Sequence, residues 1–343
     1  MSTGQARVKI EAVGNVFFDL SDADLTITGG GGNVPPVANA DAATTPVDTP
    51  EAIDVSTSAA RRRPRAPAGP GSHLLAARVL PVPAVPDLPS LLAVAERAAR
   101  TGGRVVLEGA GAASAEHKGA GDYVTEVDRA SEDAIRGILS RATPSIPVVG
   151  EEAGGAPSDR WWVVDPLDGT TNFLHRFPAV GVSIALVDRG RPVVGVVHAP
   201  FLGETYLGSR GAGARVSRAS GSAGPLRVSD RPVERAVVGT GFPFRRKDLL
   251  PRYLVTMERA LERFECLRRP GAAALDLAWV AAGVFDGFFE LALKAWDVAA
   301  GALLIEEAGG VVTDWEGGVG YLAGDILAGS PSVHEELLRL ATG

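Results

Sequence analysis

The 343 residues, 45% of them hydrophobic and 22% charged, have the make-up of a soluble globular protein with room for two domains. No run approaches the roughly 18 apolar residues that span a bilayer, and a net charge of −7 argues against a nucleic-acid platform. A single cysteine, Cys266, excludes an intrachain disulfide, fits a reducing cytoplasmic setting and reads as a packed small residue rather than a nucleophile.

Residues 1–28 alternate apolar and polar (Val8, Ile10, Val16, Phe18, Leu20) around Gly14-Asn15, the pattern of a β-hairpin. Eleven of the 24 prolines fall between residues 29 and 89, which leaves too little apolar periodicity for a core. Residues 1–87 therefore read as an extension ending in a linker, and residues 88–343 as the globular domain. The first helix is expected at Ser90, with Leu91, Leu92, Ala95, Ala98 and Ala99 on one face and a stop at Gly102-Gly103. A second begins at Thr125, with Asp128 in capping-box spacing and Ala130, Ala134, Ile135 and Ile138 as its buried stripe.

A strand at 146–149 ends in Gly150-Glu151-Glu152. The next apolar stretch, Trp161-Trp162-Val163-Val164, is expected to stop at Asp165, because Pro166 cannot donate to a ladder. Asp168-Gly169 then turns the chain into a helix starting at Thr170-Thr171-Asn172. Runs at 180–187, 192–198 and 205–207 make an antiparallel meander, with further strands at 236–239, 285–291, 311–313 and 326–328. Helices are expected at 249–264, at 272–282, from Trp296-Asp297 to Ala308, and from Pro331 onward. The order of elements excludes a plain doubly wound sheet.

Glu151, Asp165, Asp168 and Asp297 share one context, each where a strand or turn meets a helix. Each alone is an ordinary turn or cap residue. Asp165 and Asp168, three residues apart at a strand end, suit a hard cation, and the helix start beside them suits phosphate. Oxygen donors without a His/Cys cluster point to Mg²⁺ rather than zinc.

Asp165-Pro166-Leu167-Asp168-Gly169-Thr170-Thr171-Asn172-Phe173 resembles the first signature of the inositol monophosphatase family. Trp296-Asp297-Val298-Ala299-Ala300-Gly301, running on to Glu307-Ala308-Gly309-Gly310, resembles the second. The resemblance covers about residues 88–340. It implies an α+β fold, the layered α-β-α-β-α sandwich shared with fructose-1,6-bisphosphatase, usually homodimeric and often inhibited by Li⁺. It also implies hydrolysis of a small phosphate monoester with two to three Mg²⁺ ions, while run length and charge argue against a membrane or nucleic-acid partner. Carried over, Glu151, Asp165, Asp168, Asp297 and the Leu167 carbonyl become metal ligands. Thr170 and Asp128, assisted by Glu151, orient the attacking water. The Gly169 and Thr170 amides hold the phosphate, and Asp168 and Asp297 count among the substrate-binding residues as well as the metal ligands. Gly271, Ala272, Ala273 and Glu290 contact the alcohol half, with Lys118 nearby. His175 and His198 have no counterpart and read as structural. Inositol 1-phosphate is the first substrate expected, with histidinol phosphate, fructose 1,6-bisphosphate or a 3′-phosphonucleotide as rivals. Some bacterial relatives act as partners of the transcription or RNA-processing machinery, which gives a non-catalytic alternative. The chain departs from the family at Ala272, where Ser or Thr is common, and at Ala292 and Ala295, in place of a frequent Gly and Pro.

Overall fold

The structure, a computed structural model, describes residues 87–111, 115–119 and 122–343, with the hairpin residues 115–119 and 122–124 described by backbone alone. The hairpin and linker expected before residue 87 lie outside the described residues.

Helices α1 (Leu88–Gly109) and α2 (Glu126–Ala142), joined through the short strands β1 (Ala115–Gly119) and β2 (Asp122–Thr125), form the first layer. They cover a seven-stranded sheet whose spatial order follows the chain. It comprises β3 (Val148–Gly150), β4 (Arg160–Asp168), β5 (Gly181–Asp188), β6 (Arg191–Ala199), β7 (Glu204–Ser209), β8 (Ala214–Arg218) and β9 (Ala223–Pro225). The five-residue α3 (Thr170–Leu174) follows β4. The second half runs β10 (Val237–Thr240), α4 (Leu250–Arg263), β11 (Cys266–Arg268), α5 (Ala273–Ala281), β12 (Gly287–Glu290), α6 (Ala295–Glu307), β13 (Val311–Thr313), β14 (Ile326–Gly329) and α7 (Pro331–Thr342). Its five strands are ordered β11-β10-β12-β14-β13. Helices α5 and α6 fill the space between the sheets, and α4 and α7 cover the outer face of the second. This is the α-β-α-β-α sandwich. Because both faces of the large sheet are covered, β5 and the inner part of β6 read as continuous apolar runs rather than alternating ones.

Three local expectations are corrected. Helix α1 does not stop at Gly102-Gly103 but continues to Gly109, and its cap is Asp87, whose carboxylate accepts from Ser90 N at 3.0 Å. The two glycines are places of close approach. A Cβ on Gly102 would lie 2.7 Å from Ile135 Cδ1 of α2, and one on Gly103 would lie 2.7 Å from His198 Nε2 of β6. Helix α2 keeps its capping box, but its buried stripe is Val127, Asp128, Ser131, Glu132, Ile135 and Leu139, while Ala130 is exposed. The polar members of that stripe are bonded inward, so hydropathy alone misplaced the face. Strand β4 does not stop at Asp165 and pairs with β5 as far as Asp168.

That continuation shapes the site. Asp165 faces Ser183 and Asp168 faces Gly181, so β4 spends three steps where β5 spends two. In a regular strand, residues three apart point to opposite faces. The extra residue of this bulge, at Pro166-Leu167, returns both carboxylates to the face that looks onto α5 and α6.

His198 is buried, pairs through Nδ1 with the Thr205 hydroxyl (2.9 Å) and the Glu204 carbonyl (3.1 Å), and is held neutral by burial, with its pKa pushed down to about 4. It has little room to yield. Gly103→Ala would gain about 1 kcal/mol of helix propensity. Overpacking against a fixed ring costs about 1–3 kcal/mol. The variant should therefore be less stable in urea denaturation, and a stabilised Gly103→Ala would show that the glycine is not there for this contact.

Candidate metal and phosphate site

Each carboxylate at the sheet end is fixed by backbone amides. Asp165 accepts from Leu167 N at 3.0 Å across the bulge. Asp168 accepts from Ala274 N at 2.8 Å, capping the first turn of α5 from a residue 106 positions away. Asp297 accepts from Lys294 N at 2.7 Å in the first turn of α6. Asp128, in the first turn of α2, accepts from Thr125 N at 2.9 Å and from the Thr125 hydroxyl at 2.5 Å. Its other oxygen accepts from the Thr170 hydroxyl at 3.0 Å, which also lies 3.2 Å from the Leu167 carbonyl. The starts of three helices from two layers thus converge on one sheet end, each offering positive dipole to a carboxylate.

Asp165, Asp168 and Asp297 present oxygens that all lie within 4.8 Å of one another. Burial, then the charges of Glu151, Asp168 and Asp297, push Asp165 well above the usual carboxylate range. Burial raises Asp168 to about 7 against the pull of the Ala274, Leu275 and Ala273 amides. Asp297 is raised to about 7 by burial and by Asp168, and Glu290 to about 8 by burial and by Asp297. Asp128 is also raised by burial, partly offset by its hydroxyl and amide donors. Such crowding is costly without a cation. The donors are all carboxylate or carbonyl oxygens, the set that suits a hard divalent ion, so the residues fit a metal.

An open cleft of about 420 Å³ holds the rest. Glu151, Leu167, Gly169, Thr170, Gly271, Ala273 and Glu290 line it together with the three aspartates. Ala272 is fully buried behind this wall, 3.3 Å from where a Cβ on Gly169 would sit. Gly169 itself has φ +90°, a conformation that glycine adopts freely. Lys118 lies on β1, and its side chain is outside the described residues. Ala292 sits at φ +64°, where an L-residue is strained and the family's glycine would be relaxed. Its amide is tied to Asp325 at 2.9 Å.

Sequence reading missed three contributors. Asn172 donates to the Ala179 carbonyl (2.7 Å) and the Pro270 carbonyl (2.9 Å), tying α3 to the Gly271 loop. Arg269 stacks its guanidinium between Phe242 (5.5 Å) and Phe244 (5.3 Å) on the cleft rim. Buried Glu132 and its part-buried partner Arg136 hold the Glu151 turn from behind. Only Asn172 carried a signal, as the last polar residue of the Thr-Thr-Asn run.

The sequence profile of the inositol monophosphatase family matches residues 87–342. The Escherichia coli protein called Nus factor SuhB is 42% identical over 257 residues, covering 72% of this chain and 94% of that protein. The crystal structure of extragenic suppressor protein suhB from Bartonella henselae is similar with a TM-score of 0.68 at 39% identity, covering 74% of this chain and 98% of that one. The inositol monophosphatase of Anabaena gives a TM-score of 0.65 at 34% identity, with 74% and 95% covered. With its layered sandwich, its clustered carboxylates and these matches, the chain belongs to the inositol monophosphatase family.

Proposed function

We propose that this chain hydrolyses a small polyol or sugar phosphate monoester, inositol 1-phosphate foremost, with two to three Mg²⁺ ions bound by Glu151, Asp165, Asp168, Asp297 and the Leu167 carbonyl. One observation carries the reading. A three-carboxylate cluster within 4.8 Å stands beside a Thr170–Asp128 hydroxyl–carboxylate pair at 3.0 Å. Bound Mg²⁺ would supply charge to activate water and to stabilise the leaving oxygen. The protein's own residues do the rest. Asp128 accepts a hydrogen bond from the Thr170 hydroxyl, which leaves the Thr170 oxygen free to accept from a water and orient that water's lone pair toward phosphorus. The Gly169 and Thr170 amides orient the phosphate oxygens, and Glu290 accepts from a hydroxyl of the alcohol half.

Glu290 tests substrate class. Loss of a charged hydrogen bond is worth about 1.5–3 kcal/mol, so Glu290→Gln should lower kcat/KM for inositol 1-phosphate by about 10- to 150-fold. An aryl phosphate without that hydroxyl should lose much less. Equal losses on both would assign Glu290 to the acidic cluster instead. The wild type is screened on the same panel with histidinol phosphate, fructose 1,6-bisphosphate and a 3′-phosphonucleotide, and the highest kcat/KM names the substrate. The homodimeric state and cytoplasmic setting belong to the same proposal, supported by family membership and by the single cysteine. Among the described residues, no helix is long and apolar enough to cross a membrane.

A second reading is favoured by the name Nus factor SuhB of the 42% identical relative. In it, the fold serves as a partner of the transcription machinery. Capture of transcription proteins by an Asp168→Asn variant as efficiently as by wild type, with wild type inactive on every monophosphate, would replace the first reading by the second.

A further inference from the structure

Glu132 is 1% exposed on α2, an unusual place for a carboxylate unless its bonds are supplied by the protein. They are. Arg136, one turn on, donates through Nε to Oε1 at 2.6 Å. The amides of Glu152 and Ala153 donate to the same carboxylate at 2.7 and 3.1 Å. Arg136 in turn donates to the carbonyl of Val148 at 3.0 Å and to that of Gly154. The carboxylate also presses on Gly150, where a Cβ would lie 2.7 Å from Oε2. The three residues after Glu151 are therefore held by one ion pair of a buried Glu132 and a part-buried Arg136, and the glycine before it packs against the carboxylate. Glu151 itself is tied to β4 by its amide, which donates to the Val164 carbonyl at 3.1 Å.

We propose that the Glu132–Arg136 pair is a positioning device that sets the Glu151 carboxylate at the metal site. The inference rests on the reading of Glu151 as a metal ligand. The turn is closed on itself by two backbone hydrogen bonds between Gly150 and Gly154, each 3.1 Å, but Gly154 and Gly155 at positive φ leave it in need of a tie to the layer behind. Two backbone carbonyls and two amides anchored to a helix in another layer supply it. A pair whose charge is spent on backbone atoms, with an occluded glycine beneath it, does more than hold α2 to the sheet, since α2 already packs there through Val127, Ile135 and Leu139. Outer residues that orient a metal ligand commonly change metal affinity by 10–100-fold when altered.

Glu132→Gln keeps the shape but sets an amide donor against backbone N–H groups or the Arg136 fork. Arg136→Lys keeps the charge and loses the fork. Both full-length variants are melted in EDTA and across a Mg²⁺ titration, with hydrogen exchange followed at the Glu152 and Ala153 amides. Glu132→Gln should raise the Mg²⁺ concentration for half-maximal stabilisation tenfold or more, speed exchange at both amides by at least tenfold, and lower kcat with KM near wild type. Arg136→Lys should move all three in the same direction by less, and carries the test if Glu132→Gln does not fold. Variants that only melt lower, with wild-type Mg²⁺ midpoint and exchange, would overturn the proposal and leave a structural ion pair. If wild type shows no Mg²⁺ stabilisation, the metal reading of the site fails, and unchanged exchange at Glu152 and Ala153 would sink the clamp separately.

Discussion

Asp168→Asn should lower kcat/KM for inositol 1-phosphate by about 10²–10⁴-fold in saturating Mg²⁺, the several kcal/mol that a metal site contributes to a charged transition state. The same variant should be at least as stable as wild type in EDTA. Its amide oxygen can still accept from Ala274 N, and it removes one of three carboxylates clustered within 4.8 Å. The sign of the pH dependence follows from the raised pKa. Asp168 titrates near 7 in the metal-free fold against 3.8 unfolded, so between those values the folded state holds the proton more tightly. The stabilisation this brings is fully present below pH 4 and is lost as pH rises through 7. Metal-free wild type should therefore lose on the order of 2–4 kcal/mol from this group between pH 4 and 8. Asp168→Asn should lose correspondingly less, and the two melting curves should meet in acid. Exchange of stability for function is the common pattern at active sites. A variant that melts well below wild type at pH 8 in EDTA would make Asp168 a helix cap first and a ligand second.

Thr170→Val should cost on the order of 10²–10⁴-fold in kcat, the range for a misplaced general acid–base group, with KM changed about threefold or less. Valine fills the same space, so the loss is that of the hydroxyl bridging Asp128 at 3.0 Å and Leu167 at 3.2 Å. Asp128→Asn should fall in the same range, and the double variant should be little worse than either, because residues acting through one hydrogen bond are not additive. Steady-state kinetics on the three proteins checks this. Additive losses would mean that Thr170 and Asp128 serve different steps.

Much of this site is legible in the sequence because its chemistry sits at element boundaries, where local rules are strongest. Thr125 and Asp128 announce a helix start, and the same spacing places Asp128 in reach of Thr170. Asp165, Asp168 and Asp297 stand out as acids beside apolar runs. What the sequence hides is whatever depends on a second element. Pro166 signals a strand end by its missing N–H, yet pairing with β5 carries the strand past it as a bulge. Gly102-Gly103 gives the same local signal as a helix stop, and only the approach of α2 and β6 shows otherwise. Glu132 and Arg136 have the i,i+4 spacing that is ordinary on a solvated helix and carry no other signal in the sequence. The burial of Glu132 is decided by a turn 20 residues away. The alanine at 292 shows a departure in the sequence, but its strain at φ +64° is visible only in the fold.

The most direct test of a metal-dependent phosphomonoesterase is inorganic phosphate released by the purified wild-type chain from inositol 1-phosphate, first in EDTA and then across added Mg²⁺. Release should be absent in EDTA, appear with Mg²⁺ and saturate as the site fills. Turnover that persists undiminished in EDTA, or none with any monophosphate of the panel at saturating Mg²⁺, would contradict it.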